Sequence, residues 1–159
     1  MGYYAEISAG YNGLHAGEQA EKARIILQGM PVSGLLLDVG AGTGISTKIF
    51  EGKAECIALD PCIELLRQYS GLRVIGRAEQ LPFKSGSFDC VVSVTALHHC
   101  DVAGAKREIL RVAKEGAPVG ISFFRRAKNF PLAKRLFAGS RAVDSGKDAI
   151  FLLQRITAR

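Results

Sequence analysis

Three glycines at alternate positions, Gly40, Gly42 and Gly44, follow directly on the apolar run 35–39. Asp38 is the only charged residue of that run. Because glycine has no Cβ, such a loop lets a ligand approach main-chain N–H groups closely. A glycine-rich loop after a first buried strand is where an open α/β sheet binds a nucleotide. The residue types therefore predict a nucleotide-binding loop.

The spacing of the glycines distinguishes between two classes of nucleotide. A dinucleotide-binding loop has the pattern G-x-G-x-x-G, and Ile45 occupies the position of its third glycine here. This argues against a nicotinamide or flavin enzyme and favours a nucleoside cofactor that has no pyrophosphate. A nicotinamide dehydrogenase stays an alternative, supported only by the loop and by the acid described next.

Asp60 ends a second apolar run, 56–60, twenty positions after Gly40. A carboxylate there can accept hydrogen bonds from both hydroxyls of a ribose, and Pro61 suits the first turn of a helix. The same acid is wanted in a dinucleotide fold, so Asp60 does not separate the two classes. Its alternative role is to cap the helix that begins near Ile63.

The elements that must position these residues alternate between strand and helix along the chain. Apolar runs predict strands at 35–39, 55–60, 73–76, 88–94, 117–124 and 149–156. Periodic segments predict helices at 18–28, 44–51, 63–69, 102–114 and 131–137. This alternation predicts an α/β fold: a doubly wound, Rossmann-like, mostly parallel sheet with helices on both faces. We expect the last strand to be antiparallel, and the turn-rich segment 140–147 has room for one short strand.

The length of 159 residues predicts a single domain. We divide it into an N-terminal helical cover (1–30), a cofactor-binding core (31–125) and a short basic C-terminal part (126–159). No apolar run approaches 18 residues, and the first residues lack the plan of a signal peptide, so we expect a cytoplasmic protein. The four cysteines contain no C-x-x-C pair, which argues against a metal site or a disulfide framework.

The positive charge is concentrated at one end of the chain. Residues 125–159 contain nine Lys or Arg against two Asp, whereas the preceding 124 residues contain twelve basic against thirteen acidic side chains. A basic terminal part can face RNA, an anionic membrane surface or an acidic protein. The alternative is a solvated face that keeps the protein soluble.

In this order and spacing, three segments make the chain similar to the class I S-adenosylmethionine-dependent methyltransferases. They are LLDVGAGTG at 36–44, GRAEQLPFKSGSFDCVVS at 76–93 and EILRVAKEG at 108–116. The similarity covers roughly residues 30–125 and is closest to the branch that contains the ubiquinone/menaquinone-biosynthesis enzymes. It implies S-adenosylmethionine as cofactor, S-adenosylhomocysteine as product and no metal.

The resemblance also implies roles for individual positions. The cofactor-binding positions would be Asp38, Gly40, Ala41, Gly42, Gly44, Asp60, Pro61, Cys62, Ala78, Glu79 and Thr95. Among them, Asp60 would bind the ribose hydroxyls, and Pro61 with Cys62 would flank the adenine. Ala78 would offer its N–H to the adenine ring, and Thr95 with Ala96 would line the sulfonium side. Tyr11, His98 and His99 would form the substrate side.

Two departures from the family pattern stand out. The family usually has an acid where this chain has Arg77, and an arginine cannot accept a hydrogen bond from the adenine amino group. Either Glu79 takes over, or stacking and the backbone hold the adenine. The second departure is Glu115-Gly116-Ala117, where the family commonly has Pro-Gly-Gly.

Methyl transfer from a sulfonium is a direct displacement, so the protein's main task is to hold the reactants in line. A general base is needed only where the acceptor loses a proton, and His98 is our candidate for it. The alternative for this histidine is a structural role in shaping the pocket. Tyr11 would wall the pocket or, alternatively, pack on the first helix.

We expect a methyltransferase that acts on a small-molecule acceptor. RNA and protein acceptors remain alternatives, and so does a non-catalytic or partner-dependent cofactor-binding subunit. This last alternative is supported by Arg77, by the basic part and by the region after Phe124, which is short for the family, since the family often has a substrate-covering insertion there. With so little cover for the pocket, a homodimer that completes the site is a further expectation.

Overall fold

The computed structural model describes residues 8–154, with side chains from residue 16 onward. Within this part, seven strands and five α-helices follow one another, with one 3₁₀ turn at Leu97–His99. The strands are β1 (Leu35–Val39), β2 (Glu55–Asp60), β3 (Leu72–Ile75), β4 (Cys90–Val94), β5 (Pro118–Phe124), β6 (Arg141–Ser145) and β7 (Asp148–Gln154). The helices are α1 (Ser8–Gly29), α2 (Ile45–Phe50), α3 (Ile63–Leu66), α4 (Val102–Val112) and α5 (Phe130–Leu136).

The strands form one mixed sheet in the order β3-β2-β1-β4-β5-β7-β6. The pairs from β3 to β5 are parallel, and β7 runs antiparallel to both β5 and β6. Chain order therefore reverses at β1, which has β2 on one side and β4 on the other. A crevice opens beyond the carboxyl ends of the strands at such a reversal, and ligands bind there in open α/β sheets. The predicted fold and the antiparallel last strand are confirmed.

Helices cover both faces of the sheet because its central strands are apolar on both sides. Leu36 packs with Ile26 of α1 and Phe50 of α2 on one face, while Leu37 packs with Ile109 of α4 on the other. Successive residues of a strand point to opposite faces, so a continuous apolar run such as that of β1 needs a cover on each side.

The sequence placed some element ends differently from the structure. Helix α1 begins at Ser8, ten residues before the predicted start at 18. The segment 8–17 contains three glycines, and each glycine destabilises a helix by about 1 kcal/mol relative to alanine. Intrinsic helix propensity therefore does not predict a helix in this segment. Helix α3 ends at Leu66 instead of 69, and Tyr69 turns its ring into the core at 2% exposure.

Two further differences concern strands. The strand predicted from 88 begins at Cys90, since Phe88 forms only a single bridge with Ala113 and Asp89 turns its carboxylate to the Leu35 N–H. The short strand foreseen within 140–147 is β6. Within the described residues, no helix combines the length and the apolar composition that a bilayer crossing needs.

We expect Phe50→Ala to destabilise the fold by about 3–5 kcal/mol, because Phe50 is fully buried and alanine leaves a cavity between α2 and the sheet. Thermal unfolding followed by circular dichroism would show a midpoint lower by roughly 10 °C. Lys53→Ala, an exposed change three residues later, is the control and should leave the midpoint unchanged. Equal midpoints for Phe50→Ala and the control would contradict this packing.

Candidate cofactor-binding site

The glycine loop leaves the end of β1 and crosses the end of β2. The N–H groups of Gly40 and Ala41 both donate to the carbonyl oxygen of Leu59, at 2.8 and 2.9 Å. Gly40 has φ 75°, and a Cβ on it would clash with the Cβ of Ala96. The glycine is therefore required by close packing against the end of β4, in addition to any ligand that approaches the loop.

Gly44, the third glycine of the loop, is required by close packing against the protein core. Gly44 has φ 85° and directly precedes α2, and a Cβ there would clash with the ring of Tyr69. The Tyr69 hydroxyl donates to the carboxylate of Glu51 at the end of α2. Gly44 thus allows α2 to begin over a buried aromatic ring.

Asp38 lies beneath the loop and holds the first turn of α2. Its Oδ2 atom accepts hydrogen bonds from Ser46 Oγ at 2.7 Å and Thr47 Oγ1 at 2.8 Å. Oδ1 is buried and has no hydrogen-bond partner among the described residues. Burial raises the pKa of this carboxyl from 3.8 to about 6, although the two hydroxyls oppose the shift.

Asp60 lies at the carboxyl end of β2 and faces the loop. Its Oδ2 accepts the N–H of Gly42 at 2.9 Å, and its Oδ1 accepts the N–H of Cys62 at 2.8 Å. Burial raises the pKa of Asp60, while these two N–H groups lower it. Each carboxylate oxygen has more than one lone pair, so both can accept a further hydrogen bond from a ligand.

A cavity of about 580 Å³ lies beyond the carboxyl ends of the strands, at the point where strand order reverses. Eight predicted cofactor positions line it: Gly40, Gly42, Asp60, Pro61, Cys62, Ala78, Glu79 and Thr95. Asp38, Ala41 and Gly44 do not line the cavity; their contacts hold the loop on the side that faces the protein core. The structure does not describe the side chain of Tyr11, so its predicted place at the substrate side lies outside the described residues.

Sequence reasoning missed several apolar residues of the cavity wall, namely Leu65, Ile75, Leu97 and Cys100. Ile75 is 56% exposed at the end of β3, beside Asp60 in the register of β2 and β3. Its position as the last residue of a parallel strand next to Asp60 was the signal that could have found it. The others follow strands or lie on α3, where nothing in the sequence distinguishes them from core residues.

Arg77, the departure from the family pattern, lies at the cavity with Glu79. Arg77 Nε is 3.6 Å from Glu79 Oε2, with the two side chains 75% and 24% exposed. Glu79 Oε1 also accepts the N–H of Asp101 at 3.2 Å. The cavity wall here therefore contains a carboxylate that can accept a hydrogen bond, which the arginine cannot do.

The two histidines after β4 differ in their surroundings. His99 lines the cavity, whereas His98 does not and packs its ring against Phe124, with centroids 5.8 Å apart. Burial and the neighbouring His99 lower the pKa of His98 to about 4, and its Nδ1 is buried without a hydrogen-bond partner among the described residues. His98 is therefore a neutral imidazole at pH 7. Within residues 8–154, no group of three or more His, Cys, Asp or Glu could hold a metal ion.

We expect the stability contribution of Asp38 to fall as the pH rises. The unfolded carboxyl ionises near 3.8 and the folded one near 6, so between these values the folded chain holds the extra proton. The free energy of unfolding of the wild type, relative to Asp38→Asn, should fall by about 2 kcal/mol from pH 4 to pH 7. Urea denaturation across this range measures it.

Asp89→Asn serves as the control for this experiment. The Leu35 N–H and Lys114 lower the pKa of Asp89, so its contribution should have the opposite slope and appear below about pH 4. Parallel curves of unfolding free energy against pH for the wild type and Asp38→Asn would contradict a raised pKa of the buried Asp38 carboxyl.

Comparison with known proteins places this geometry in a family. The family model described as a methyltransferase domain matches residues 37–120. An uncharacterized methyltransferase of Mycobacterium tuberculosis is 34% identical over 92 residues, which is 54% of this chain and 38% of that protein. A demethylmenaquinone methyltransferase of Mycolicibacterium gilvum is 33% identical over 137 residues, 77% of this chain and 60% of that protein. The chain thus spans about four to six tenths of the length of these relatives.

A solved structure shares the fold over nearly the whole chain. The crystal structure of a methyltransferase from Aquifex aeolicus superposes with a TM-score of 0.76 at 16% identity, covering 96% of this chain and 98% of that one. The likeness at this identity concerns the fold alone. The family model matches more than half of the residues, and the fold agrees with it. The chain is therefore a member of the class I S-adenosylmethionine-dependent methyltransferase family.

Proposed function

We propose that the cavity binds S-adenosylmethionine and that the protein transfers the methyl group to a small-molecule acceptor by direct in-line displacement. The carboxylate of Asp60 is the observation that carries the proposal. It lies in the cavity wall, 8% exposed, and two backbone N–H groups hold it in place. A fixed carboxylate at the end of the second strand suits the two hydroxyls of a ribose.

The residues around Asp60 fit the remaining parts of this cofactor. Gly40 and Gly42 expose backbone without a Cβ to the cavity, so a ligand can approach the main chain on the β1 side. Pro61 and Cys62 offer an apolar wall for a flat ring on the other side, and Glu79 offers an acceptor for its amino group. We propose that Glu79 replaces the family's usual acid at the position of Arg77.

Bound S-adenosylmethionine supplies a methyl group already activated by its sulfonium, so the protein needs no nucleophile of its own. The residues of this chain contribute by orientation and by exclusion of water, an effect that can amount to roughly 7–11 kcal/mol for well-aligned reactants. We propose that Thr95 and Ala96 after β4 line the reacting end; both lie in the cavity wall, on the side of the loop opposite Asp60.

A role for His98 as general base stays a prediction. Its ring lies outside the cavity wall, and a pKa of about 4 makes it a weak base. His99 lines the cavity and has a pKa lowered by burial, so it is the histidine that an acceptor would meet first. We propose His99 for contact with the acceptor.

A small-molecule acceptor is supported by the relatives and by the cavity wall. One relative carries the name demethylmenaquinone methyltransferase, and a plant relative, 28% identical over 145 residues, carries the name norajmaline N-methyltransferase. Leu97, Cys100 and Ile75 make much of the wall apolar, as in sites for organic ligands.

Calorimetric titration tests the cofactor proposal directly. We expect S-adenosylmethionine and S-adenosylhomocysteine to bind with micromolar affinity and NAD not to bind. Asp60→Ala should weaken both adenosyl ligands by about 10- to 100-fold, because it removes charge-assisted hydrogen bonds to the ribose. Glu55→Ala is the matched control, since Glu55 is exposed at the opposite end of the same strand. It should leave both affinities unchanged.

Absence of binding by either adenosyl ligand to the wild type would overturn the proposal. In that case Arg77 has disabled the adenine site, and the non-catalytic, partner-dependent subunit becomes the better description. Equal losses for Asp60→Ala and Glu55→Ala would reject the role of Asp60 in particular.

An RNA acceptor is the second candidate, because of a basic segment next to the cavity. This basic segment, residues 125–141, contains six Lys or Arg and no acid. Arg125 and Arg126 directly follow β5, so the segment begins at the sheet edge where the cavity lies. Phosphates are the ligands that such a concentration of positive charge favours.

Salt-dependent binding of single-stranded RNA distinguishes this candidate. If the basic segment contacts RNA, the logarithm of affinity falls linearly with the logarithm of salt concentration, with a slope of about −0.7 per phosphate contact. Arg126→Gln together with Arg135→Gln should make the slope shallower, while Lys53→Gln, an exposed lysine after α2, should not. A flat salt dependence in fluorescence anisotropy would reject RNA as the acceptor.

A further inference from the structure

A buried ion pair joins α1 to β7 beside the cavity. Lys22 Nζ lies 3.0 Å from Asp148 Oδ1, and the side chains are 8% and 0% exposed. The two residues are 126 positions apart and belong to elements that do not carry the glycine loop. Desolvation of two charges is costly, so a buried pair is weak support for stability alone. Its place in the structure therefore asks for another explanation.

Both members of the pair bind the side chain of Thr95. Lys22 Nζ donates to Thr95 Oγ1 at 2.9 Å, and Thr95 Oγ1 donates to Asp148 Oδ2 at 2.7 Å. Ser122 Oγ donates to the same Asp148 oxygen at 3.1 Å and accepts the Thr95 N–H at 2.9 Å. We call Lys22, Asp148, Ser122 and Thr95 the polar network.

The polar network holds Thr95 in a backbone conformation that this residue type rarely adopts. Thr95 has φ 49°, and within the described residues it is the only non-glycine with a positive φ. A β-branched residue in this region is an outlier that the surrounding contacts must enforce. The next residue, Ala96, packs so closely on Gly40 that a Cβ on that glycine would clash with it. The conformation of Thr95 thus fixes how the end of β4 meets the loop.

The network acts on one end of the cavity only. Thr95 and Ala96 follow β4, and Asp60 ends β2, with β1 and its loop between them. Asp60 contacts none of the four network residues in its hydrogen bonds, which go to Gly42 and Cys62. A disturbance of the network should therefore be felt at the end of the cavity formed by β1 and β4, not at the end formed by β2.

We infer that Lys22 and Asp148 are positioning residues that hold Thr95 and Ala96 in place for the methionyl and sulfonium part of the ligand. The inference rests on the proposed function, since it presumes that S-adenosylmethionine occupies the cavity with its ribose at Asp60. Neither Lys22 nor Asp148 lines the cavity, so the pair acts through the backbone and hydroxyl of Thr95.

Comparison of two ligands tests this inference. S-Adenosylhomocysteine carries the amino-acid part, whereas adenosine contains only the part that Asp60 and its neighbours would bind. For the double variant Lys22→Met/Asp148→Leu, we expect S-adenosylhomocysteine to bind about tenfold more weakly and adenosine to bind within about twofold of the wild type. Replacing both charges avoids leaving one buried and unpaired, which favours a folded variant.

Lys147→Met is the matched control, because Lys147 Nζ binds Glu18 Oε1 at 2.7 Å in an exposed ion pair that also joins α1 to the region of β7. It should leave both affinities unchanged. Circular dichroism and thermal melts establish that each variant is folded. If the double variant does not fold, Lys22→Met/Asp148→Asn, which also removes both charges but keeps a polar group beside Thr95, provides the same comparison, with an expected loss of about threefold for S-adenosylhomocysteine alone.

Two results would overturn the inference while leaving the proposed function intact. Either both ligands weaken equally, which means that the pair only supports the fold, or neither weakens, which means that Thr95 keeps its place without the pair. A wild type that binds neither ligand would instead overturn the proposed function and this inference with it.

Discussion

The glycine loop after β1 depends on two successive residues of the neighbouring strand β2. The carbonyl oxygen of Leu59 accepts the N–H groups of Gly40 and Ala41, and the carboxylate of Asp60 accepts the next one, from Gly42. Three consecutive N–H groups of the loop thus end on the last two residues of β2. This arrangement fixes the wall of the cavity at the point where strand order reverses, and it leaves lone pairs of the Asp60 carboxylate for further hydrogen bonds.

The part of the site nearest this arrangement could be predicted from the sequence because its residues are local to strand ends. In parallel strands, the residues at the carboxyl ends of neighbouring strands meet at one edge of the sheet, so Gly40, Gly42 and Asp60 come together once β1 and β2 pair. The predicted strands of the core were right for the same reason, since apolar runs buried on both faces have few alternatives. The identity of Gly44 was also informative, although the structure assigns it to packing over Tyr69 rather than to the cavity.

The parts that escaped prediction depend on long-range packing. Lys22 lies within the predicted helix 18–28 and Asp148 directly before the predicted strand from 149, and only the completed sheet brings the two together at Thr95. The early start of α1 was hidden by its glycines, whose helical conformation the local sequence disfavours. Likewise, nothing local distinguishes His98, turned towards Phe124, from His99 at the cavity.

The direction of β7 has a consequence for how this fold can vary. Because β7 runs against β5, its first residue, Asp148, pairs with Phe124, the last residue of β5, at the edge where the cavity opens. The turn between β6 and β7 therefore lies on the same edge as the glycine loop, and the carbonyl oxygen of Lys147 in this turn accepts the N–H of Arg125. An insertion at Gly146, which is exposed, would lengthen this hairpin at the edge of the sheet that carries the glycine loop, without interrupting any parallel strand. The length of this hairpin can therefore vary while the glycine loop stays unchanged.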